Sequence, residues 1–179
     1  MTEIKEKKGV KDEFEALFQL LLEEEGSASM VIFYGDEEDV KRIMRSPLHM
    51  VGTDAGSCAA HGPFRRGKPH PRHYGTYPRV LGKYVREEQT LTWEQAVRKM
   101  TSLPAQRFKI WDRGLLKPGF KADITVFNPD TIIDKATFTD PHQYPEGIVH
   151  VVVNGGIAIE DGSLTKQRFG VTLRKPATS

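Results

Sequence analysis

A single aspartate stands at the end of an apolar run and is followed by a stretch rich in Gly, Pro, His and Arg, which predicts a long loop. Asp54 comes directly after Met50–Thr53, and the stretch that begins at Val51 extends to Glu87. In α/β proteins with parallel strands, ligands bind and reactions occur at the carboxyl ends of the strands. A carboxylate at that position can collect a proton and pass it on. Asp54 is therefore the first candidate for a catalytic residue.

Other residues of this stretch could also take part in catalysis or metal binding. For each of them, as for Asp54, a purely structural or solvated role is the simpler interpretation. An aspartate before two small residues is typical of a turn or a helix cap, which is the structural alternative for Asp54. Cys58, His61, His70 and His73 could bind a metal, but their spacing matches no recognised structural zinc motif. Solvated loop histidines are the simpler interpretation. Cys58 has no paired base at a known spacing, so the sequence gives little support to a nucleophilic cysteine.

The same stretch carries basic side chains with no acidic residue among them until Glu87. They could contact phosphates, but the tyrosines between them belong to no recognisable nucleic-acid motif, so a solvated or substrate-facing strip is favoured. The basic residues are Arg65, Arg66, Lys68, Arg72, Arg79, Lys83 and Arg86.

Helices with clear caps precede this stretch. An apolar stripe with helical spacing runs through residues 14–22 and predicts a helix packed in the core, capped by Asp12 and ended by Gly26. A second helix is predicted to start at Asp36 and to stop at Pro47.

Two short apolar runs, Met30–Tyr34 and Leu48–Thr53, are typical of buried parallel strands. Parallel neighbours need a crossover helix, so the order helix, strand, helix, strand predicts a parallel α/β sheet or barrel. Later in the chain, Thr92 and Gln95 form a capping box for a helix through about Met100, and a further short helix follows.

The pattern changes to short strands separated by turns from Gly114 onward. Asn154-Gly155-Gly156 is a hairpin signal. The chain is therefore predicted to divide near residue 113 into an α/β part, 1–113, and a β-rich part, 114–179. The predicted strands are 123–127, 148–154 and 157–160.

Bulk composition excludes several classes of protein. A net charge of +2 over 179 residues, with a pI of about 8.6, is too mild to indicate a nucleic-acid partner. The single cysteine, Cys58, excludes an intrachain disulfide framework and agrees with a reducing compartment. No apolar run approaches the roughly 20 residues of a membrane helix, and the first residues lack the apolar part of a signal peptide. We expect a cytoplasmic protein with no nucleic-acid or membrane partner.

Several phrases in the right order carry a family resemblance. They are VGTDAG, HPRHYGTYPRVLGKYVRE, AVRKMTSLPAQRF, DRGLLKPGFKADITVFNP and HQYPEGIVHVVVNGG. Together they resemble the C-terminal third of the N-acyl-D-amino-acid deacylases, or D-aminoacylases, of the metal-dependent amidohydrolase superfamily. The resemblance covers the chain from about Phe14 to Leu173, and HPRHYGT with PRVLGKYVRE gives it most of its specificity.

The resemblance implies the C-terminal portion of a TIM-like (β/α) barrel in residues 1–113, followed by part of a small β-sandwich in 114–179. It also implies zinc at the mouth of the barrel. Asp54 matches the family's aspartate that touches the metal and acts as general base toward the metal-bound water. Arg72 matches the arginine that binds the carboxylate of the N-acyl-D-amino acid, a task suited to the two parallel hydrogen bonds of a guanidinium.

The chain also departs from the family pattern. The family's His-x-His pair, its cysteine and its further histidines, which provide most zinc ligands, have no counterpart here. We therefore expect a fragment that is inactive alone and needs the missing N-terminal half in trans. The alternatives are another amidohydrolase, dihydroorotase-like or hydantoinase-like, and a non-catalytic remnant retained as a binding or assembly module.

Overall fold

The computed structural model describes residues 1–28 and 32–174, and it divides the chain into two compact units, Met1–Tyr34 and Gly35–Ser179. The first unit contains α1 (Thr2–Lys8) and α2 (Glu13–Glu23). Asp12 caps α2 as the sequence predicts, because its carboxylate accepts hydrogen bonds of 3.0 and 2.9 Å from two backbone N–H groups of the first turn.

The apolar stripe on α2 does not form the core that its spacing predicts. Phe14, Phe18 and Leu22 are 73%, 62% and 79% exposed, and the buried residue of this helix is Ala16. An apolar stripe is buried only when an apolar surface lies opposite it. The neighbouring helix α1 has the sequence TEIKEKK and is mostly charged, so it offers no such surface. The prediction of core packing for this stripe was wrong.

Within the described residues, no helix has the length and apolar character needed to cross a membrane.

The second unit begins with helices. The predicted helices starting after Asp36 and Thr92 are confirmed, with side-chain caps at both positions. The helices are α3 (Glu37–Arg45), α4 (Arg72–Arg79) with its π-helical continuation Val80–Glu87, α5 (Trp93–Met100) and α6 (Ser102–Arg107).

The two segments predicted as parallel strands are irregular. Residues 32–34 form no strand, and Met30 and Val31 lie outside the described residues. Leu48–Thr53 is also not a strand, because a strand needs neighbouring strands to satisfy its N–H and C=O groups. Instead, the Val51 N–H donates to the Lys99 carbonyl at the end of α5, at 3.2 Å. Asp54 therefore follows an irregular segment in this structure.

The second half of the stretch after Asp54 is helical, where the sequence indicated a long loop. The π-helical part is marked by a hydrogen bond between residues five apart, from the Glu88 N–H to the Lys83 carbonyl at 2.8 Å. One face of this continuous helix packs against segment 132–134. The residues of that face follow helical spacing and are Gly75, Arg79, Gly82 and Arg86.

The two kinds of residue on this face act differently. The glycines allow a close approach, since a Cβ added at Gly75 or Gly82 would come within 2.6 or 2.5 Å of atoms in segment 132–134. The arginines bind the segment. Arg79 donates to the Asp134 carboxylate at 3.1 Å, and Arg86 donates to a backbone carbonyl at 2.6 Å. Contacts from Gly75 to Arg86 therefore hold this segment against the helix.

An antiparallel sheet follows, with its strands in the order β1 (Ile124–Phe127), β2 (Ile148–Val153), β3 (Gly156–Glu160) and β4 (Ser163–Leu164). Its hairpin between β2 and β3 has positive φ at Asn154 (50°) and Gly155 (84°), the type I′ geometry that Asn-Gly predicts. The predicted strands are confirmed to within one or two residues.

The core of the second unit lies between the helices and the sheet. Large apolar side chains such as Leu81 and Ile132 are buried there, and each stabilises the fold by about 1.5–3 kcal/mol. The core has members on both sides of residue 113, while the division at that residue stays a prediction. The buried members are Met44, Val80, Leu81, Tyr84, Val85, Leu91, Ala96 and Ile132.

Replacing Lys99 with methionine is expected to lower the free energy of unfolding by about 1–3 kcal/mol. Lys99 is only 4% exposed, and its ammonium donates to the backbone carbonyls of Ser46 and His49 at 2.5 and 3.2 Å. Burial, and secondarily Arg98, lowers the pKa of Lys99. Methionine fills the space and removes the desolvation cost, but it leaves two carbonyls without a donor, and we expect that loss to dominate. Urea denaturation measures the difference.

The matched control is the exposed Lys121, whose replacement by methionine is expected to change stability by no more than about 0.5 kcal/mol. Equal stabilities for the two variants would show that the loss of the Lys99 hydrogen bonds does not outweigh the desolvation cost that methionine removes.

Candidate active site

Asp54 and Arg72, the two residues that the sequence singles out, lie in direct contact. The Arg72 Nη2 is 2.8 Å from the Asp54 Oδ2, and the Arg72 Nε donates to the Asp54 backbone carbonyl at 2.9 Å. The side chains are open to solvent, with 88% of Asp54 and 41% of Arg72 exposed. One edge of the guanidinium therefore holds both the carboxylate and the backbone of Asp54.

The start of α4 presents Arg72 toward Asp54. The His70 Nδ1 accepts a hydrogen bond from the Arg72 N–H at 3.0 Å. The imidazole therefore satisfies a backbone N–H at the start of this helix, as the side chain of an Asp or Ser does at other helices. Pro71, with φ of −51°, is already in helical conformation. The His70 ring meets Phe138 edge to face at 5.0 Å. Burial first, and then Arg72 and His73, lowers the pKa of His70.

A second network, which the sequence did not reveal, ties the loop 55–69 to α4. The Tyr74 hydroxyl donates to the His142 Nδ1 at 2.8 Å, and the His142 Nε2 donates to the Gly67 carbonyl at 2.8 Å. The Cys58 thiol lies close enough to Tyr74 to act on its pKa, and the rings of Tyr74 and Tyr144 meet edge to face at 5.8 Å. His142 and Tyr144 lie in the phrase HQYPEGI, which contributed to the resemblance without being assigned a role.

Tyr74 is expected to resist ionisation. Burial first, and then the Cys58 thiol, raises the pKa of Tyr74 to about 12. An unfolded tyrosine ionises near pH 10, so the stabilisation from neutral Tyr74 is complete below pH 10 and is lost as the pH rises toward 12. A tyrosinate absorbance titration should show a late step that is smaller by one tyrosine in Tyr74→Phe, because burial also raises the pKa of Tyr84, which contributes to this step in both proteins. If the titration curves of the two proteins differ only by an ordinary tyrosine near pH 10, this environment for Tyr74 is wrong.

The histidines and the cysteine of this region are divided between the two networks. His70 and His73 lie beside Arg72, Cys58 contacts Tyr74, and His61 meets the ring of Tyr144 edge to face at 6.2 Å. Across residues 1–28 and 32–174, no group of three or more His, Cys, Asp or Glu side chains is arranged to hold a metal ion.

The Asp54–Arg72 pair lies on an open surface. A groove of about 430 Å³ lies elsewhere, along β1 and β2, and is lined largely by apolar side chains such as Val151 and Val153. Neither Asp54 nor Arg72 lines it. The described residues thus bring a carboxylate and a guanidinium together without enclosing a cavity around them.

A family model described as "Amidohydrolase family" matches residues 7–159 of the chain. This chain belongs to the amidohydrolase family.

Individual relatives define the similarity more closely. The chain is 44% identical over 151 residues to N-acyl-D-glutamate deacylase from Alcaligenes xylosoxydans xylosoxydans, covering 84% of this chain and 29% of that protein. It is 41% identical to the D-aminoacylase of the same organism, covering 84% of this chain and 30% of that protein. The resemblance inferred from the sequence phrases is confirmed.

A solved structure is also similar. It is N-acyl-D-glutamate deacylase from Bordetella bronchiseptica, complexed with zinc and a phosphonate inhibitor that mimics the tetrahedral intermediate of the reaction. The TM-score is 0.75 at 41% identity, covering 88% of this chain and 30% of that one. The chain therefore spans about three tenths of the length of the relatives that it matches.

Proposed function

We propose that this chain is the C-terminal part of a zinc-dependent N-acyl-D-amino-acid deacylase, which hydrolyses the amide bond of N-acyl-D-amino acids. In this proposal residues 1–113 belong to the last units of a TIM-like barrel, and residues 114–179 belong to a small β-sandwich. The observation that carries the proposal is the direct contact of Asp54 with Arg72, in a chain that is 44% and 41% identical to two deacylases.

The size of the substrate explains why these two side chains should be neighbours. In an N-acyl amino acid, the free carboxylate and the acyl carbon are separated only by the nitrogen and Cα, so they lie within about 4 Å of each other. Arg72 would bind that carboxylate through two parallel hydrogen bonds. Asp54 would then stand beside the amide, where its carboxylate can accept a proton from the attacking water and return it to the leaving nitrogen.

The residues of this chain do not make a zinc site by themselves. Zinc in enzymes takes at least three protein ligands, and among the described residues no such group is found. Asp54 is the ligand that we propose this chain contributes. The remaining ligands would come from protein outside these 179 residues, including a second polypeptide acting in trans.

A non-catalytic role as an assembly module is the second candidate. The observation that favours it is the exposed apolar surface of α2, where Phe14, Phe18 and Leu22 are all more than half exposed. Large exposed apolar side chains clustered on one face mark interaction sites. The exposed surface of α2 also agrees with the first proposal, because the rest of a barrel could pack against it.

A chimera separates the two candidates. In the chimera, this chain replaces the 151 matched residues of the Alcaligenes N-acyl-D-glutamate deacylase. We expect zinc-dependent hydrolysis of at least one N-acetyl-D-amino acid from a panel, and none of the L enantiomers. A folded, zinc-containing chimera without activity on any member of the panel would contradict the deacylase proposal. Mixing this chain with the remaining part of that relative as a separate polypeptide tests activity in trans.

A further inference from the structure

The backbone at Asp54 has an unusual conformation that must be held in place. Its φ of 46° lies in the left-handed region, which non-glycine residues seldom adopt. Such conformations persist when the surrounding contacts determine them. The conformation at residue 54 sets the direction in which the carboxylate leaves the chain, so the contacts that hold it also position the carboxylate.

Two side chains from the first turn of α4 hold the backbone at Asp54 and two residues after it. Arg72 donates through Nε to the carbonyl of Asp54 at 2.9 Å. His73 accepts through Nε2 from the N–H of Gly56 at 3.3 Å. Because the two anchors are adjacent residues of one helix, the segment from Asp54 to Gly56 is held as a unit against the start of α4.

The hydrogen bonds assign the proton on His73. Its Nε2 accepts from the Gly56 N–H and so carries no hydrogen, and its Nδ1 therefore carries the proton of the neutral ring. That Nδ1–H donates to the His70 carbonyl at 3.0 Å. The Nδ1 of His70 accepts from the Arg72 N–H, which places the proton of that ring on Nε2. The two histidines are thus held in opposite tautomers.

These contacts form a closed circuit through Asp54, Gly56, His70, Arg72 and His73. The side chain of His73 joins the loop at Gly56 to the backbone at His70, and the ring of His70 in turn fixes the N–H of Arg72. The Arg72 guanidinium then closes the circuit on Asp54. Loss of the His73 contact would free the Asp54 segment on its Gly56 side.

We propose that His73, in its Nδ1–H tautomer, is a positioning residue that sets the direction of the Asp54 carboxylate by holding Gly56. The proposal rests on the proposed function for the role of Asp54. Its contacts can be tested in this chain without any assay of activity.

The first test is the tautomer of His73 in the isotope-labelled 179-residue chain, recorded at about pH 8, above the ordinary pKa of an imidazole. Imidazole nitrogen spectra should show His73 as the Nδ1–H form and His70 as the Nε2–H form. A nitrogen–nitrogen coupling across the hydrogen bond should connect the Gly56 amide with the His73 Nε2. Finding His73 in the Nε2–H form would overturn the proposal.

A matched pair of variants separates the two functions of the ring. His73→Gln places an oxygen near the position of Nε2 and keeps an acceptor for Gly56, whereas His73→Asn keeps a donor near the position of Nδ1 and loses that acceptor. The readout is the Arg72 Nε–H signal, which should be shifted and slowly exchanging because of its bond to the Asp54 carbonyl. His150→Gln, on β2, controls for the loss of a histidine.

We expect His73→Gln and His150→Gln to keep the Arg72 Nε–H signal and His73→Asn to lose it through at least a tenfold faster exchange with water. An unchanged signal in His73→Asn would overturn the positioning role, and so would its loss in His73→Gln with the fold intact. These results do not depend on the activity of the chimera, so a failure of the deacylase proposal would be seen separately.

Discussion

Replacing Asp54 with asparagine is expected to lower kcat of the chimera by about 10²- to 10⁴-fold, the usual contribution of a general base. Asparagine has nearly the same shape and can still accept a hydrogen bond from Arg72, but its amide cannot take a proton from water. KM should change less than kcat, because we propose that Arg72 and not Asp54 binds the substrate carboxylate. Initial rates at varied substrate concentration measure both constants.

The control for this prediction is Asp161→Asn. Asp161 resembles Asp54 in backbone and exposure, with φ of 47° and an 86% exposed side chain, but it lies in the turn between β3 and β4. Its replacement should leave kcat unchanged. If Asp54→Asn hydrolyses the substrate as fast as the Asp161 control, the carboxylate of Asp54 is not the base.

Features fixed by neighbouring residues were predicted correctly from the sequence. Asp12, Asp36 and Thr92 each cap a helix through hydrogen bonds to backbone N–H groups two or three residues away. The hairpin at Asn154-Gly155 is equally local, since it needs only two residues that tolerate positive φ. In each case the interacting atoms belong to one short segment, so the spacing of residue types contains the information.

Features that need a distant partner were predicted less well. The run Leu48–Thr53 has the composition of a buried strand, but a strand requires neighbouring strands, and its Val51 N–H is bound to Lys99 of a helix instead. The stripe on α2 is apolar enough for a core and lies exposed next to the charged helix α1. Composition shows which segments are apolar enough to be buried. It does not show which surface each segment packs against.

The helix that carries Arg72 was missed for a different reason. Gly75, Pro78 and Gly82 are typical of loops, yet all three lie buried in the continuous helix from Arg72 to Glu87. The spacing of Gly75, Arg79, Gly82 and Arg86 contained a helical signal that could have been recognised. Hydrophobic periodicity considers only apolar side chains. A helical spacing of glycine and arginine therefore gives no signal in it.

For the candidate site, the sequence indicated two residues and not the contact between them, and their roles stay predictions. The phrases VGTDAG and HPRHYGT identified Asp54 and Arg72, and the structure places them 2.8 Å apart. The contact itself could not be derived, because the intervening loop has no regular spacing. The pairing of Tyr74 with His142, 68 positions away in the sequence, was equally inaccessible to local patterns.

Replacing Gly82 with alanine is expected to lower the free energy of unfolding by about 1–3 kcal/mol, measured by urea denaturation. Within a helix, this substitution alone would stabilise by about 1 kcal/mol. Here the new Cβ would come 2.5 Å from the Ile132 carbonyl oxygen, 2.6 Å from the Ile133 Cδ1 and 3.2 Å from the Ile133 Cα. Two of these atoms belong to the backbone and cannot rotate away. The overlap therefore outweighs the gain in helix propensity.

Gly170→Ala provides the matched control, because a Cβ at Gly170 meets nothing within 4 Å and its φ is not positive. This substitution is expected to leave stability unchanged or to raise it by up to about 1 kcal/mol, through the lower conformational entropy of the unfolded chain. The two variants should thus differ in the sign of their effect. If Gly82→Ala proved as stable as Gly170→Ala, the close packing of the helix on segment 132–134 would be wrong, and with it the rigid support of the helix that presents Arg72.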